Sequence, residues 1–242
     1  MNAGAVVVAA GLGTRLKAGR PKALVTLRGA PLVTHAVRRI LAAGGVSHVV
    51  VVTPATHESD FDEALAEFDP TLVTRVGGGA ERSDSVRAGL AALDASCDAV
   101  LVHDAARCLA PPSLVARVLA ALDDGADAVV PGVAVVDTIK LVEAREAQTV
   151  VASTPARAAL RAIQTPQGFR RSALLAAHAC GADATDDAAL VELAGADVVV
   201  VAGDDLALKV TTPLDMVLAE HLLAADDAVA GEVTDTHPRG QS

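Results

Sequence analysis

Val6-Val7-Val8-Ala9-Ala10-Gly11-Leu12-Gly13-Thr14-Arg15-Leu16, continued to Pro21-Lys22, decides how the rest of this chain is read. A β-branched apolar run of this length reads as a buried parallel strand. It ends in residues with almost no side chain, so backbone N–H groups can approach a ligand closely, and amides in such a turn attract anions. Arg15 and Lys22 add full positive charge, and arginine suits bidentate phosphate contact. The stretch reads as a loop for a nucleoside triphosphate. It is neither a P-loop, for want of G-x-x-x-x-G-K-[ST], nor a complete dinucleotide fingerprint, because Leu16 stands where the third glycine belongs. An ordinary strand–loop–helix turn fits the local pattern too, although such a turn needs no pair of cations.

Working outward, the apolar runs His48–Val52, Leu72–Val76, Ala99–Val102, 127–134 and Asp197–Val201 alternate with helical patterns: Pro31 to Gly44-Gly45, 58–68, Val86 to Leu93, Pro111 to Gly125, and Pro213 to about Ala225. Alternation of this kind predicts an α/β fold: a mostly parallel, twisted sheet with helices on both faces. Residues 135–164 break the rhythm. Asp137–Val142 and Gln148–Val151 resemble two short antiparallel strands around a charged turn, which predicts a projecting β-arm. One domain over 1–225, the arm at about 135–164 and a disordered tail at 226–242 complete the expected organisation.

Composition narrows the function. Hydrophobic residues make up 52% of the 242, but aromatics only 1%, so a base pocket must use backbone and small side chains rather than stacking. A net charge of −10 disfavours DNA or RNA as a partner. A small anionic substrate still fits, if a few cations gather in one cleft. Cys97, Cys108 and Cys180 match no zinc spacing and read as reduced thiols. No run is long enough to span a bilayer, and the first residues do not look like a signal peptide, so the expected location is cytoplasmic.

Three further stretches carry candidate chemistry. Gly77-Gly78-Gly79-Ala80-Glu81-Arg82-Ser83-Asp84-Ser85 leaves a strand and starts a helix. It reads either as a capped turn, with Ser83 or Asp84 as the cap, or as a backbone pocket for a base or ribose with a hydroxyl from Ser85. Val102-His103-Asp104-Ala105-Ala106-Arg107 places Asp104 at the carboxyl end of a strand, where ligands sit in open α/β sheets. A lone carboxylate there suits Mg²⁺, and it also suits a cap or an ion pair with Arg107. His103 reads as structural. Thr185-Asp186-Asp187 reads as a helix cap, and Lys209 either belongs to the solvated surface or points into the cleft of Lys22.

Taken together and in order, Ala9-Ala10-Gly11-x-Gly13-x-Arg15-Leu16, Pro21-Lys22, Gly78-Gly79-x-x-Arg82-x-x-Ser85-Val86, Val102-His103-Asp104-Ala105-Ala106-Arg107, Asp137-Thr138-x-Lys140, Thr165-Pro166-Gln167, Thr185-Asp186-Asp187 and Lys209-Val210-Thr211 resemble the 2-C-methyl-D-erythritol 4-phosphate cytidylyltransferases over about residues 4–225. Val8 and Ala80 depart from that pattern, where the family often has proline and an acidic residue. The resemblance implies a Rossmann-like nucleotidyltransferase fold that transfers CMP from CTP to methylerythritol phosphate in non-mevalonate isoprenoid synthesis. It implies Arg15, Lys22 and Lys209 as catalytic cations and Asp104 as the Mg²⁺ ligand. Ala9, Ala10, Gly11, Gly13, Gly78, Gly79 and Ser85 would surround the nucleotide, and Arg107, Thr138 and Arg157 would hold the sugar-alcohol phosphate. It further implies a homodimer in which each arm completes the partner's site. The alternatives are a pentitol-phosphate (ribitol 5-phosphate) cytidylyltransferase and a non-catalytic nucleotide-binding regulator.

Overall fold

The computed structural model describes residues 1–11, 16, 19–180, 184 and 186–234. The chain opens with β1 (Ala3–Val8), a small hairpin of β2 (Thr26–Leu27) and β3 (Ala30–Pro31), then α1 (Leu32–Ala42), β4 (Val46–Thr53) and α2 (Glu58–Leu65). It continues through β5 (Val73–Gly77), α3 (Arg82–Ala92), β6 (Ala99–Asp104), α4 (Pro112–Asp123) and β7 (Ala128–Ala134). After the arm strands β8 (Leu141–Arg145) and β9 (Gln148–Ser153) come β10 (Arg161–Ile163), β11 (Gln167–Arg170), α5 (Arg171–Ala179), α6 (Asp187–Leu193), β12 (Val198–Ala202) and α7 (Pro213–Thr234).

β1 pairs in parallel with β4 and β6, β4 with β5, and β12 with β7. β11 lies antiparallel between β6 and β7, and β10 pairs with the far end of β7. The expected mostly parallel sheet is therefore present, with an antiparallel insertion that the sequence reading left out. Alternate residues of the same strands feed two cores, as a period of two requires. Val7, Val49, Val51 and Leu101 pack with α1, α2, α4 and α7 on one face. Val6, Val50, Val52, Val100 and Val102 pack with α3, α5 and α6 on the other. Gly89 lets α3 lie close to the sheet, because a Cβ there would sit 2.4 Å from Val6 Cγ1.

Two boundaries move. The first arm strand begins at Leu141, not Asp137. The last helix continues past the expected end at 225 to Thr234, because lengthening a helix already formed adds one backbone hydrogen bond for each residue fixed. The remainder of that tail, 235–242, lies outside the described residues. The arm is a separate two-stranded sheet whose Leu141, Val142 and Val151 side chains are each more than half exposed.

Candidate active site

The parallel register brings the carboxyl ends of β1 and β6 side by side, Val8 opposite Asp104. A cleft of about 450 Å³ opens there, beyond the strand ends. Val8, Ala9, Ala10 and Gly11 form one wall, Gly79 to Arg82 with Ser85 another, and Lys22, Asp104 and Lys209 also line it. The two departures from the family pattern, Val8 and Ala80, are both wall positions. Gly13 and Arg15, and the threonine of Thr185-Asp186-Asp187, lie outside the described residues.

The glycine wall is shaped by the start of α3. Glu81 is the N-cap of a capping box, and its backbone N–H donates to Asp84 Oδ2 at 3.1 Å. The chain must pass tightly over that box: a Cβ on Gly79 would lie 2.2 Å from Asp84 Cβ, and one on Gly78 would lie 2.8 Å from Ser85 Oγ. Ser85 lines the cleft, but its hydroxyl is already committed. It accepts from the Gly79 N–H and donates to the Glu81 carbonyl, so it braces the wall.

Asp104 is the electrostatic centre. Its Oδ2 lies 2.7 Å from Lys209 Nζ, and its Oδ1 lies 3.8 Å from Arg82 Nη2. Burial works against its ionised form, but the Lys209 ammonium and the Arg82 guanidinium outweigh it and hold the carboxyl below the usual range. Lys209 thus faces the cleft of Lys22 and not solvent alone. The ion pair with Arg107, one of the alternatives for Asp104, does not form. Arg107 Nη1 donates to the Ala207 carbonyl and Nη2 to the Ile163 carbonyl. Nor does Arg107 line the cleft.

Arg82 is the functional residue that sequence reasoning passed over. Its Nη1 lies 2.7 Å from Asp187 Oδ2, and Asp187 Oδ1 lies 3.1 Å from His178 Nε2. Asp186 is the cap the sequence suggested, accepting from the Ala189 N–H, while Asp187 is a buried ion-pair partner. The signal was present, since Arg82 belongs to the Gly78-Gly79 motif. Its partner is 105 residues away, which no local pattern reveals.

His103 is buried and structural, as expected. Thr165 Oγ1 accepts from the Asp104 N–H and lies 3.0 Å from His103 Nδ1, so the residue beneath the carboxylate is tied to β11's approach. Burial, partly opposed by Asp104, pushes its pKa from the ordinary 6.5 down to about 4. Between those values the unfolded chain binds a proton that the folded chain refuses. The stability is whole above about pH 6.5 and is lost on acidification towards 4, by about 3 kcal/mol in total. Denaturant unfolding across that window should show the loss, and His103→Gln should flatten it. An equally steep profile in the variant would assign the effect to another group.

Thr138 and Arg157 are exposed on the arm, where Arg157 Nη1 donates to the Val136 carbonyl; neither lines the cleft of its own chain. Among the described residues no three His, Cys, Asp or Glu side chains gather as a metal cage, and no helix is long and apolar enough to cross a membrane.

A mostly parallel α/β sheet with glycine-walled strand ends and cations around one carboxylate defines a phosphate-binding α/β protein of the nucleotide-handling kind. The particular family follows from comparison. The sequence profile of the 2-C-methyl-D-erythritol 4-phosphate cytidylyltransferases matches residues 3–225, and the chain belongs to that family. It is 53% identical over 220 residues to the family's protein from Nocardia farcinica, covering 90% of this chain and 93% of that one. It is 50% identical over 220 residues to the one from Rhodococcus jostii, covering 90% and 94%. The crystal structure of the cytidylyltransferase from Thermus thermophilus superimposes with a TM-score of 0.73 at 35% identity, covering 93% of this chain and 100% of that one. For 4-diphosphocytidyl-2C-methyl-D-erythritol synthase from Anaerococcus prevotii the TM-score is 0.80 at 26% identity, covering 92% and 96%.

Proposed function

We infer that this enzyme transfers the CMP group of CTP to 2-C-methyl-D-erythritol 4-phosphate, releasing pyrophosphate and forming CDP-methylerythritol. The observation that carries the reading is the meeting of Lys22, Lys209, Arg82 and Asp104 at one cleft in a chain of this family. A phosphate oxygen of the acceptor attacks the α-phosphorus of CTP, in line with the departing pyrophosphate. Two polyanions must be brought together, so positioning and fixed positive charge do the catalytic work. Lys22 and Lys209 face the phosphates, and the family resemblance adds Arg15 as a third cation. The β1 end and the Gly79–Arg82 wall enclose the cytidine, with Ser85 as the brace.

Mg²⁺ fits this donor set. The ion takes one or two carboxylates together with substrate phosphates, and Asp104 offers one at the cleft floor. Asp104 would hold the ion, which would supply Lewis-acid charge neutralisation to the phosphates. Lys209 shares that carboxylate, so it and the metal compete for Asp104 or divide its two oxygens. Asp104→Asn keeps the shape and loses the charge. The Mg²⁺ concentration for half-maximal activity should then rise by roughly tenfold or more. An unchanged titration would leave Asp104 as an ion-pair partner only.

The arm supports a homodimer. Its two strands have no core of their own, and an isolated hairpin is marginal in water. A second copy is the commonest cover, and it would bring Thr138 and Arg157 to the partner's acceptor phosphate. A cytoplasmic location belongs to the same reading, whereas Arg107, spent on two backbone carbonyls, does not serve it as an acceptor contact. Pyrophosphate release from CTP with methylerythritol phosphate, in competition with ribitol 5-phosphate, tests the substrate. Preference for ribitol phosphate would reassign the acceptor, and no release with either would return the chain to the class of regulators.

A further inference from the structure

We infer that Gln164 and Arg107 are positioning residues for Lys209: together they clamp the segment Gly203–Val210 to the sheet, so that the Lys209 ammonium is held against Asp104. The inference deepens the proposed function and rests on its reading of Lys209 and Asp104 as groups that handle phosphate.

Lysine is a flexible four-carbon stem and is a poor fixed charge unless its backbone is held. Lys209 stands on irregular chain, between a one-turn helix at Asp205–Ala207 and the start of α7. Gly203 is fixed to β7 by its N–H bond to the Gly132 carbonyl at 3.0 Å, Arg117 pairs with Asp204 at 3.9 Å, and the segment is tied at three further points. At its start, the buried Gln164 side chain pairs with both backbone groups of Asp204: Nε2 donates to the carbonyl at 2.8 Å, and Oε1 accepts from the N–H at 2.9 Å. The fit leaves no space beside it, since a Cβ on Gly203 would lie 2.5 Å from Gln164 Oε1. In its middle, Arg107 Nη1 donates to the Ala207 carbonyl at 2.8 Å, while Nη2 donates at 3.1 Å to Ile163, the neighbour of Gln164. At its end, the Val210 N–H donates to the Ala106 carbonyl at 2.8 Å. Lys209 lies between the second and third ties.

The geometry joins both members of the ion pair to one frame. β6 ends on Asp104, and the turn that follows carries, two and three residues later, the groups that grip the Lys209 segment. Arg107 keeps its charge at any ordinary pH despite a pKa lowered by burial, so its bonds to carbonyls are charge-assisted. Two of its nitrogens are spent on backbone, and its Nε is buried with no hydrogen-bond partner. A direct grip on the acceptor phosphate would require this clamp to open.

The test is a double-mutant cycle with hydrogen exchange beside it. Gln164→Met keeps the bulk and removes both hydrogen bonds. Its kcat should fall by roughly 10–100-fold, the scale of a small misplacement, with KM for both substrates within about twofold. In a Lys209→Ala background the same change should cost less than about twofold, because its only route to the chemistry is gone. Losses that multiply would overturn the inference for Gln164. Arg107→Lys keeps the charge but cannot bridge two carbonyls, and it should repeat the kcat pattern. A raised KM for the sugar phosphate with kcat retained would make Arg107 a substrate contact instead. Amide exchange at Asp204 and Val210 should quicken in both variants, and unchanged exchange would overturn the clamp. This last comparison decides the inference even if the wild type releases no pyrophosphate, an outcome that would defeat the proposed function alone.

Discussion

Lys22→Ala is expected to lower kcat by roughly 10²–10³ while leaving the fold intact, the scale for losing one group aimed at transition-state charge. Lys22 opens a one-turn helix, Lys22–Leu24, whose next two residues are buried. The backbone at this point is therefore set by Ala23 and Leu24, while the lysine lines the cleft. Charge accumulates on the α-phosphoryl oxygens and the leaving pyrophosphate only as the reaction proceeds, so the loss should appear mainly in kcat and less in the KM for CTP. Single-turnover rates with saturating CTP, beside a thermal melt of the same variant, make the measurement. A full rate would remove the loop from the mechanism, and a lost melt would move Lys22 to the fold. Lys209→Ala should fall in the same direction, with one difference: it also strands Asp104 beside Arg82 alone, so its effect on the Mg²⁺ titration should be larger.

What the sequence made legible was what repeats or crowds locally. Val6–Val8, Val49–Val52 and Val100–Val102 read as buried strands because β-branched runs have few other uses, and their ends pointed to the cleft. Arg161–Ile163 and Gln167–Arg170 were opaque, because strands this short carry no periodicity, and their place beside β6 and β7 comes from tertiary pairing. α5 was missed too: Leu174 and Ala177 bury one face, but Ala-rich neighbours leave no contrasting polar stripe. The site divides in the same way. Lys22, Asp104 and Ser85 were found from local motifs, and all three line the cleft. The roles of Arg82, Asp187, Gln164 and Arg107 depend on partners across 40 to 105 residues, and only the fold supplies those. Arg107 shows the cost of motif reasoning: a cation beside a catalytic carboxylate suggests substrate, while its geometry here serves two backbone carbonyls.

The arm offers the second large effect. Lys22→Ala damages the cleft, and Arg157→Ala damages the arm, so in the proposed homodimer each variant should be nearly inactive when pure. If the arm completes the partner's site, a mixed dimer contains one site with both lesions and one site with neither. Random exchange makes about half of the dimers mixed, so roughly a quarter of all sites should regain full activity, by the symmetry of a closed pair. If the arm serves its own chain, every site keeps one lesion and mixing restores nothing. Several features favour exchange in trans. Arg157 and Thr138 are exposed and lie outside the cleft lining of their own chain. The arm also presents Val136 at 80% exposure, together with Leu141, Val142 and Val151, an apolar surface that a partner would cover. Subunit exchange must be verified independently, by native mass spectrometry of differently tagged chains. Exchange with no recovered activity would overturn the shared site, even though the dimer itself could stand.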